Sequence, residues 1–258
     1  MKKDIKNFRV IAAEHLGKLY TRLSVTPADG SELLPIKPGQ FVQVSIHTPG
    51  VFLRRPISVN FVDYATNTLD LLIRRAGRGT NVLCDTPVGA ELNILYPLGN
   101  GFSTEGCSED GRLLLIGGGV GVAPLLYLGK VLKESGMNPE FLLGARTESD
   151  LLQLEAFKAY GTVHISTEDG SLSEKGFVTL HSVLNDKIAK IFCCGPSPMM
   201  KAVARIAREK KVDCEVSLEN MMACGLGACL CCVENTVKGN VCVCTEGPVF
   251  NINMLNWE

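Results

Sequence analysis

Six of the chain's 11 cysteines lie within its last 35 residues, strung as Cys224-x4-Cys229-x2-Cys232 with Cys231, Cys242 and Cys244 beside them. That spacing matches plant-type ligation of a [2Fe–2S] cluster, in which four thiolates hold two irons and three of them come from one tight loop. The loop runs Met-Ala-Cys-Gly-Leu-Gly-Ala-Cys-Leu-Cys-Cys over residues 222–232. Its glycines suit the task, because backbone N–H groups must turn toward sulfur through φ, ψ values that a Cβ obstructs. Six thiols compete for four places. Cys231 and Cys232 are adjacent and point differently, so one is a bystander, while Cys242 and Cys244 are both candidates for the fourth ligand. A structural zinc site is the competing explanation. Such sites join two short Cys-x2-Cys knuckles, whereas here one loop supplies three closely spaced thiols.

The rest of the composition fits a redox protein of a reducing compartment. A secreted disulfide scaffold is shorter and spreads its cysteines through the chain, and an odd total of 11 argues against complete pairing. Lys+Arg (26) nearly balances Asp+Glu (27), so no large single-signed field points to nucleic acid or an anionic membrane. The first ten residues carry positive charge with no apolar run behind it, unlike a signal peptide. The charge-free stretch Leu113–Gly129 is too short for a span and is broken by glycines and a proline. These features predict a cytoplasmic protein. At 258 residues it has room for two sizeable cores.

Two grammars divide the chain. In residues 1–101, Phe41–Ile46, Ile57–Phe61, Thr68–Arg74 and Glu91–Leu95 read as β-strands separated by the turn-forming stretches at 37–40, 77–80 and 97–101. Short strands at this spacing predict an antiparallel β-barrel. After Gly101, apolar runs Arg112–Ile116, Glu140–Gly144, Thr162–Ser166 and Lys190–Cys194 alternate with helical stretches through Glu134, over Ser149–Tyr160 and over Pro198–Lys210. That alternation predicts a parallel sheet with right-handed crossovers, an α/β domain. From about Val216 onward there is little room for helix, and the cysteine loop takes over. The fold class expected is thus multidomain β + α/β: a barrel over 1–101, a parallel-sheet domain over 102–215 and a small [2Fe–2S] domain over 216–258.

Three further motifs carry chemistry. Gly117-Gly-Gly-Val-Gly-Val-Ala-Pro124 stands between a strand and a helix, where Gly118, Gly119 and Gly121 can let backbone N–H groups face a pyrophosphate. It does not fit G-x-G-x-x-G, and a tight turn that binds nothing is the plainer explanation. The second strand ends in Arg146 rather than an acidic residue, which leaves NAD against NADP open. In Arg54-Arg-Pro-Ile-Ser58, Arg55 can pair with a phosphate and Ser58 can hydrogen-bond a flavin nitrogen, although paired arginines at a barrel edge are usually a solvated rim. Cys194 ends the last strand of the sheet, the place where open sheets bind ligands, and can line a nicotinamide pocket; a buried cysteine acting as a small hydrophobe is the alternative. The four histidines form no ligand spacing.

Taken together these residues resemble the ferredoxin-reductase superfamily, and more narrowly the electron-transfer subunits of the heterotetrameric, NAD-linked (class 1B) dihydroorotate dehydrogenases. The resemblance runs through essentially the whole chain. Arg55, Pro56, Ile57 and Ser58 match the family's flavin motif, and its FAD contacts continue at Leu72, Ile73 and Arg74 and at Gly79 and Thr80. Pro97–Phe102 resembles the segment closing the FAD domain, and 117–124, 168–171 with 176–179, and 194–196 resemble the pyridine-nucleotide half. The ending Cys244-Thr-Glu-Gly-Pro-Val-Phe250 resembles the family's last-ligand segment, which selects Cys224, Cys229, Cys232 and Cys244 as ligands and makes Cys231 the variable residue. Tyr96 departs from the family, where glycine is frequent, and the interval from Cys232 to Cys244 is short. The resemblance implies FAD, a [2Fe–2S] cluster and NAD as co-substrate. It also implies a partner FMN subunit that oxidises dihydroorotate, two copies of each chain, and a place in de novo pyrimidine biosynthesis. An NAD(P)H–ferredoxin or sulfide-linked oxidoreductase is the alternative; in its transhydrogenase-type relatives an aspartate tends to stand at the position of Cys224. A redox-sensing or zinc-stabilised binding module without turnover is a second, from another class.

Overall fold

A computed structural model describes residues 2–108 and 111–257. The N-terminal unit comprises β1 (Asp4–Leu16), β2 (Tyr20–Pro27), β3 (Phe41–Val44), β4 (Arg55–Asp63), β5 (Thr68–Arg74), helix α1 (Arg78–Cys84) and β6 (Glu91–Leu98). Its six strands close into an antiparallel barrel in the order β1-β2-β5-β4-β3-β6. Strand alternation fills the interior with Phe8, Leu23, Val42, Val44, Val59 and Ile94. Tyr96 joins them: its ring lies edge-on to Phe8 at 4.9 Å and is fully buried. Where the resemblance leads one to expect glycine, the barrel thus holds a core-filling side chain.

The second unit comprises β7 (Leu113–Gly118), α2 (Ala123–Glu134), β8 (Pro139–Ala145), α3 (Leu154–Lys158), β9 (Thr162–Thr167), β10 (Glu174–Lys175), β11 (Lys190–Cys194), α4 (Ser197–Lys210) and β12 (Asp213–Ser217). Pairing is parallel from β10 through β9, β8, β7 and β11 to β12, as the alternation of strand and helix predicts. The cysteine loop follows, then the hairpin β13 (Val233–Thr236) and β14 (Gly239–Cys242), the single turn α5 (Val243–Glu246) and β15 (Val249–Asn251). β15 pairs antiparallel with β12 and makes the sheet seven-stranded, so the tail beyond the thiols is anchored in the α/β sheet.

Three local expectations are corrected. Residues 4–27, in which no strand was expected, form β1 and β2; β1 shows only Phe8 and Val10 to the core, so its apolar signal is thin. The stretch at 77–80 is the start of α1, with the Thr80 hydroxyl accepting from the Ala76 and Gly77 N–H groups at 2.9 and 3.1 Å. The helix expected over Ser149–Tyr160 shrinks to Leu154–Lys158, because Gln153 takes a left-handed conformation (φ 55°) while its amide exchanges hydrogen bonds with Asn60 of the barrel at 2.9 and 3.0 Å. A tertiary contact between the two units overrides local helix propensity there.

Candidate redox site

The outer face of the barrel builds the first shelf. On β4, Ile57 and Val59 enter the barrel core, which leaves Pro56 and Ser58 half-buried on the outside. Arg55 and Gly79, distant in sequence, meet: a Cβ on Gly79 would stand 2.7 Å from Arg55 Nε. The Arg55 guanidinium donates to the Leu53 carbonyl at 2.7 Å and so lies over the first turn of α1. Leu72 packs outward on the α/β core, Ile73 fills the barrel, and Arg74 is exposed. Ile57 and Ile73 therefore offer a ligand only main-chain atoms. The two adjacent arginines have different tasks: Arg54 donates to the carbonyls of Gln43 and Asn93 at 3.1 and 3.0 Å, tying β3 to β6, and burial lowers its pKa.

The second shelf is an interlock of two turns. Gly121 sits where a Cβ would lie 2.4 Å from Gly195 Cα and 2.5 Å from the Cys194 carbonyl oxygen. Gly118 presses on Met199 in the same way, and Gly119 has φ +55° with the Tyr20 hydroxyl 4.0 Å from where a Cβ would stand. The glycine turn after β7 is thus held against the Cys194-Gly195-Pro196 turn after β11, at the carboxyl ends of neighbouring parallel strands. Cys194 is buried there, and desolvation pushes its thiol up to about 12, so it stays protonated. Arg146 is exposed at the end of β8.

The thiol site lies against the barrel. Cys229 and Cys231 are exposed, Cys224 and Cys242 half-buried, Cys232 and Cys244 buried. The adjacent Cys231 and Cys232 do point apart, one to solvent and one to the interior. Backbone N–H groups aim at three sulfurs: Leu226 donates to Cys224 Sγ at 3.3 Å, Gly227 to Cys244 Sγ at 3.1 Å, and Cys244 to Cys232 Sγ at 3.4 Å. The Leu226 N–H leads the effects that lower the Cys224 pKa to about 6, with Cys229 and Ala228 adding to it. Cys242 differs: its sulfur faces the Gly227 carbonyl oxygen at 3.8 Å, an acceptor that disfavours a thiolate. The loop can make these turns because Gly225 and Gly227 hold φ of +71° and +82°. Among the described residues no group of three or more His, Cys, Asp or Glu side chains is arranged to hold a single metal ion. Backbone N–H donors already turned toward Cys224, Cys232 and Cys244 fit an iron–sulfur cluster, whose sulfurs accept such hydrogen bonds.

Asn100, which the sequence offers only as one residue of the turn after β6, fastens the site. Its Nδ2 donates to the carbonyls of Thr245 and Glu246, both at 3.0 Å, and its backbone bridges Pro248. One apolar cluster then runs from Phe41, Leu95 and Leu98 on the barrel through Cys232 and Cys244 to Phe250 and the sheet.

Comparison with known proteins agrees with this geometry. Residues 219–256 match the family model described as the iron–sulfur cluster binding domain of dihydroorotate dehydrogenase B, and residues 115–205 match the oxidoreductase NAD-binding domain. A "Dihydroorotate dehydrogenase B (NAD(+)), electron transfer subunit" of Lysinibacillus sphaericus is 38% identical over 95% of this chain and 96% of its own. One of the same description from Shouchella clausii is 39% identical over 84% and 85%. Among solved structures, an NADH-dependent reduced ferredoxin-NADP oxidoreductase is 27% identical, with a TM-score of 0.84 over 97% of this chain and 90% of that one. The ferredoxin reductase in carbazole 1,9a-dioxygenase shares the fold, with a TM-score of 0.68 at 22% identity over 82% of this chain and 67% of that one. Identity of 38% over nearly the whole chain, with the barrel, the glycine turn and the thiol loop following one another in that order, places the chain in the family of dihydroorotate dehydrogenase B (NAD(+)) electron transfer subunits.

Proposed function

We propose that the chain conducts electrons from a dihydroorotate-oxidising flavoprotein to NAD, holding a [2Fe–2S] cluster at Cys224, Cys229, Cys232 and Cys244 and FAD on the barrel. The observation that carries this reading is the packing of the cluster loop directly on the barrel's outer face, where Gly225 lies against Gln43 and Leu98. Bound FAD supplies the conversion between the single electrons of a cluster and the electron pair that nicotinamide accepts. The chain's own residues do the holding. Arg55, with the first turn of α1, receives a pyrophosphate; Ser58 presents a hydroxyl to the flavin edge; Gly118 and Gly121 let the two turns of the second shelf close together, and Gly119 faces NAD beside Cys194. The exposed Cys229 and its neighbours Leu226 and Leu230 put the cluster loop at the surface, where electrons cross to the partner. The partner is the FMN-containing catalytic subunit, two of each chain form the complex, and its place is the cytoplasm and pyrimidine biosynthesis. Among the described residues no helix is long and apolar enough to cross a membrane.

Anaerobically purified protein is expected to be coloured by both flavin and iron–sulfur absorption. Cys229→Ser removes the iron–sulfur signal and partner-to-NAD transfer while FAD stays reducible by NADH; unchanged iron content in that variant overturns the ligand set. The high structural similarity to a ferredoxin-NADP oxidoreductase favours one alternative, a ferredoxin-linked reductase. Copurification with a dihydroorotate-oxidising flavoprotein and a preference for NAD over NADP decide between them.

A further inference from the structure

Gln43 is 0% exposed, yet neither its Nε2 nor its Oε1 has a hydrogen-bond partner. An orphaned carboxamide in a packed site is costly and calls for an occupant the chain itself does not supply. The side chain cannot turn away to water. Val42 and Val44 fix β3 by filling the barrel, Arg54 holds the Gln43 carbonyl at 3.1 Å, and the strand neighbours of Gln43 are Pro56 and Leu95. Pro56 belongs to the flavin motif. On the outer side stands the cluster loop: a Cβ at Gly225 would lie 2.9 Å from Gln43 Cγ and 3.1 Å from its Nε2. The amide therefore occupies the seam between the two redox sites, where a side chain on the residue after Cys224 would collide with it.

We propose that Gln43 Nε2 donates a hydrogen bond to a sulfur of the iron–sulfur cluster and thereby raises its reduction potential. Cluster sulfides and thiolates only accept, so the amide end engages them, and Oε1 is left to a buried water. A donor aimed at sulfur stabilises the reduced cluster, which carries the extra negative charge, over the oxidised one. Backbone N–H groups already serve Cys224, Cys232 and Cys244; Gln43 adds a side-chain donor from the barrel, on the side that faces the flavin motif. The inference rests on the proposed ligand set.

Spectroelectrochemical titration of the whole complex tests it, with Gln43→Leu as the variant. Leucine keeps much of the volume and removes both orphan atoms, so iron and flavin content are expected to match the parent protein. The cluster's midpoint is expected to move to a more negative potential while the flavin's stays in place. An unmoved cluster potential in the iron-replete variant, or a shift of the flavin alone, overturns the role of Gln43. Absence of iron from the parent protein overturns the ligand set instead. Should the variant lose iron, pulsed EPR of reduced parent protein labelled with 15N at glutamine side-chain nitrogens decides: coupling to the cluster is expected, and its absence overturns the proposal.

Discussion

At the scale of single residues, the direction of hydrogen bonds separates groups that composition treats alike. Cys242 and Cys244 are two residues apart, but Gly227 turns its N–H to the sulfur of Cys244 and its carbonyl oxygen to that of Cys242. Cys242→Ser is accordingly expected to keep full iron content and Cys244→Ser to lose it, measured by iron analysis of the purified proteins. Gly79 makes a similar point on the shelf proposed to hold the flavin. Its missing side chain is the space the Arg55 guanidinium occupies, so Gly79→Ala displaces that group and is expected to weaken flavin retention about tenfold, or ~1.4 kcal/mol. The flavin-to-iron ratio after gel filtration checks this, because iron should not change. Spacing and glycine content made the thiol loop legible in the sequence, and the family resemblance narrowed the fourth ligand. The task of Arg54, the orphaned amide of Gln43 and the anchoring role of Asn100 were not legible, since each depends on partners that sequence position does not reveal.

At the scale of elements, function sits where two connecting segments lock together. The turn after β6 and the segment after α5 are joined by the Asn100 side chain, by the Asn100 N–H donating to the Gly247 carbonyl at 2.5 Å and by the approach of Gly99 to Pro248, while Leu218, just after β12, donates to the Pro248 carbonyl at 2.8 Å and ties the same segment to the sheet. Removing two side-chain hydrogen bonds with Asn100→Ala is expected to cost about 1–2 kcal/mol and to speed loss of iron to a chelator. An unchanged rate would show that the strap does not support the loop. The glycine turn after β7 and the Cys194 turn after β11 form a comparable lock, legible as turns but not as a pair. Strands with apolar runs were legible; β1, largely solvent-facing, and the helix cut short at Gln153 were not, because exposure weakens periodicity and the Asn60 contact comes from another unit.

At the scale of the whole molecule, three buried thiols couple stability to pH. Burial holds Cys193 well above its ordinary value and pushes Cys194 and Cys214 up to about 12, against an ordinary 9.0. Thiols of the unfolded chain lose their protons above about pH 9, while the folded ones keep theirs. The stability they contribute is therefore complete below that pH and is lost as pH rises toward 12, by at most ~1.4 kcal/mol per pH unit for each thiol. Denaturant midpoints are expected to fall between pH 8 and pH 10, less steeply in Cys214→Val; equal slopes would count against this coupling. The sequence by itself determined the alternation that makes a barrel and a parallel sheet, and the thiol spacing that suits two irons, because both are periodic or local properties of the chain. Only the tertiary structure decided how the segments proposed to hold flavin and cluster adjoin. The meeting of Arg55 with Gly79, of Gly121 with Gly195 and of Gln43 with Gly225 arises from close packing between segments that are 24, 74 and 182 residues apart by their numbers, and packing at that range leaves no local pattern to read.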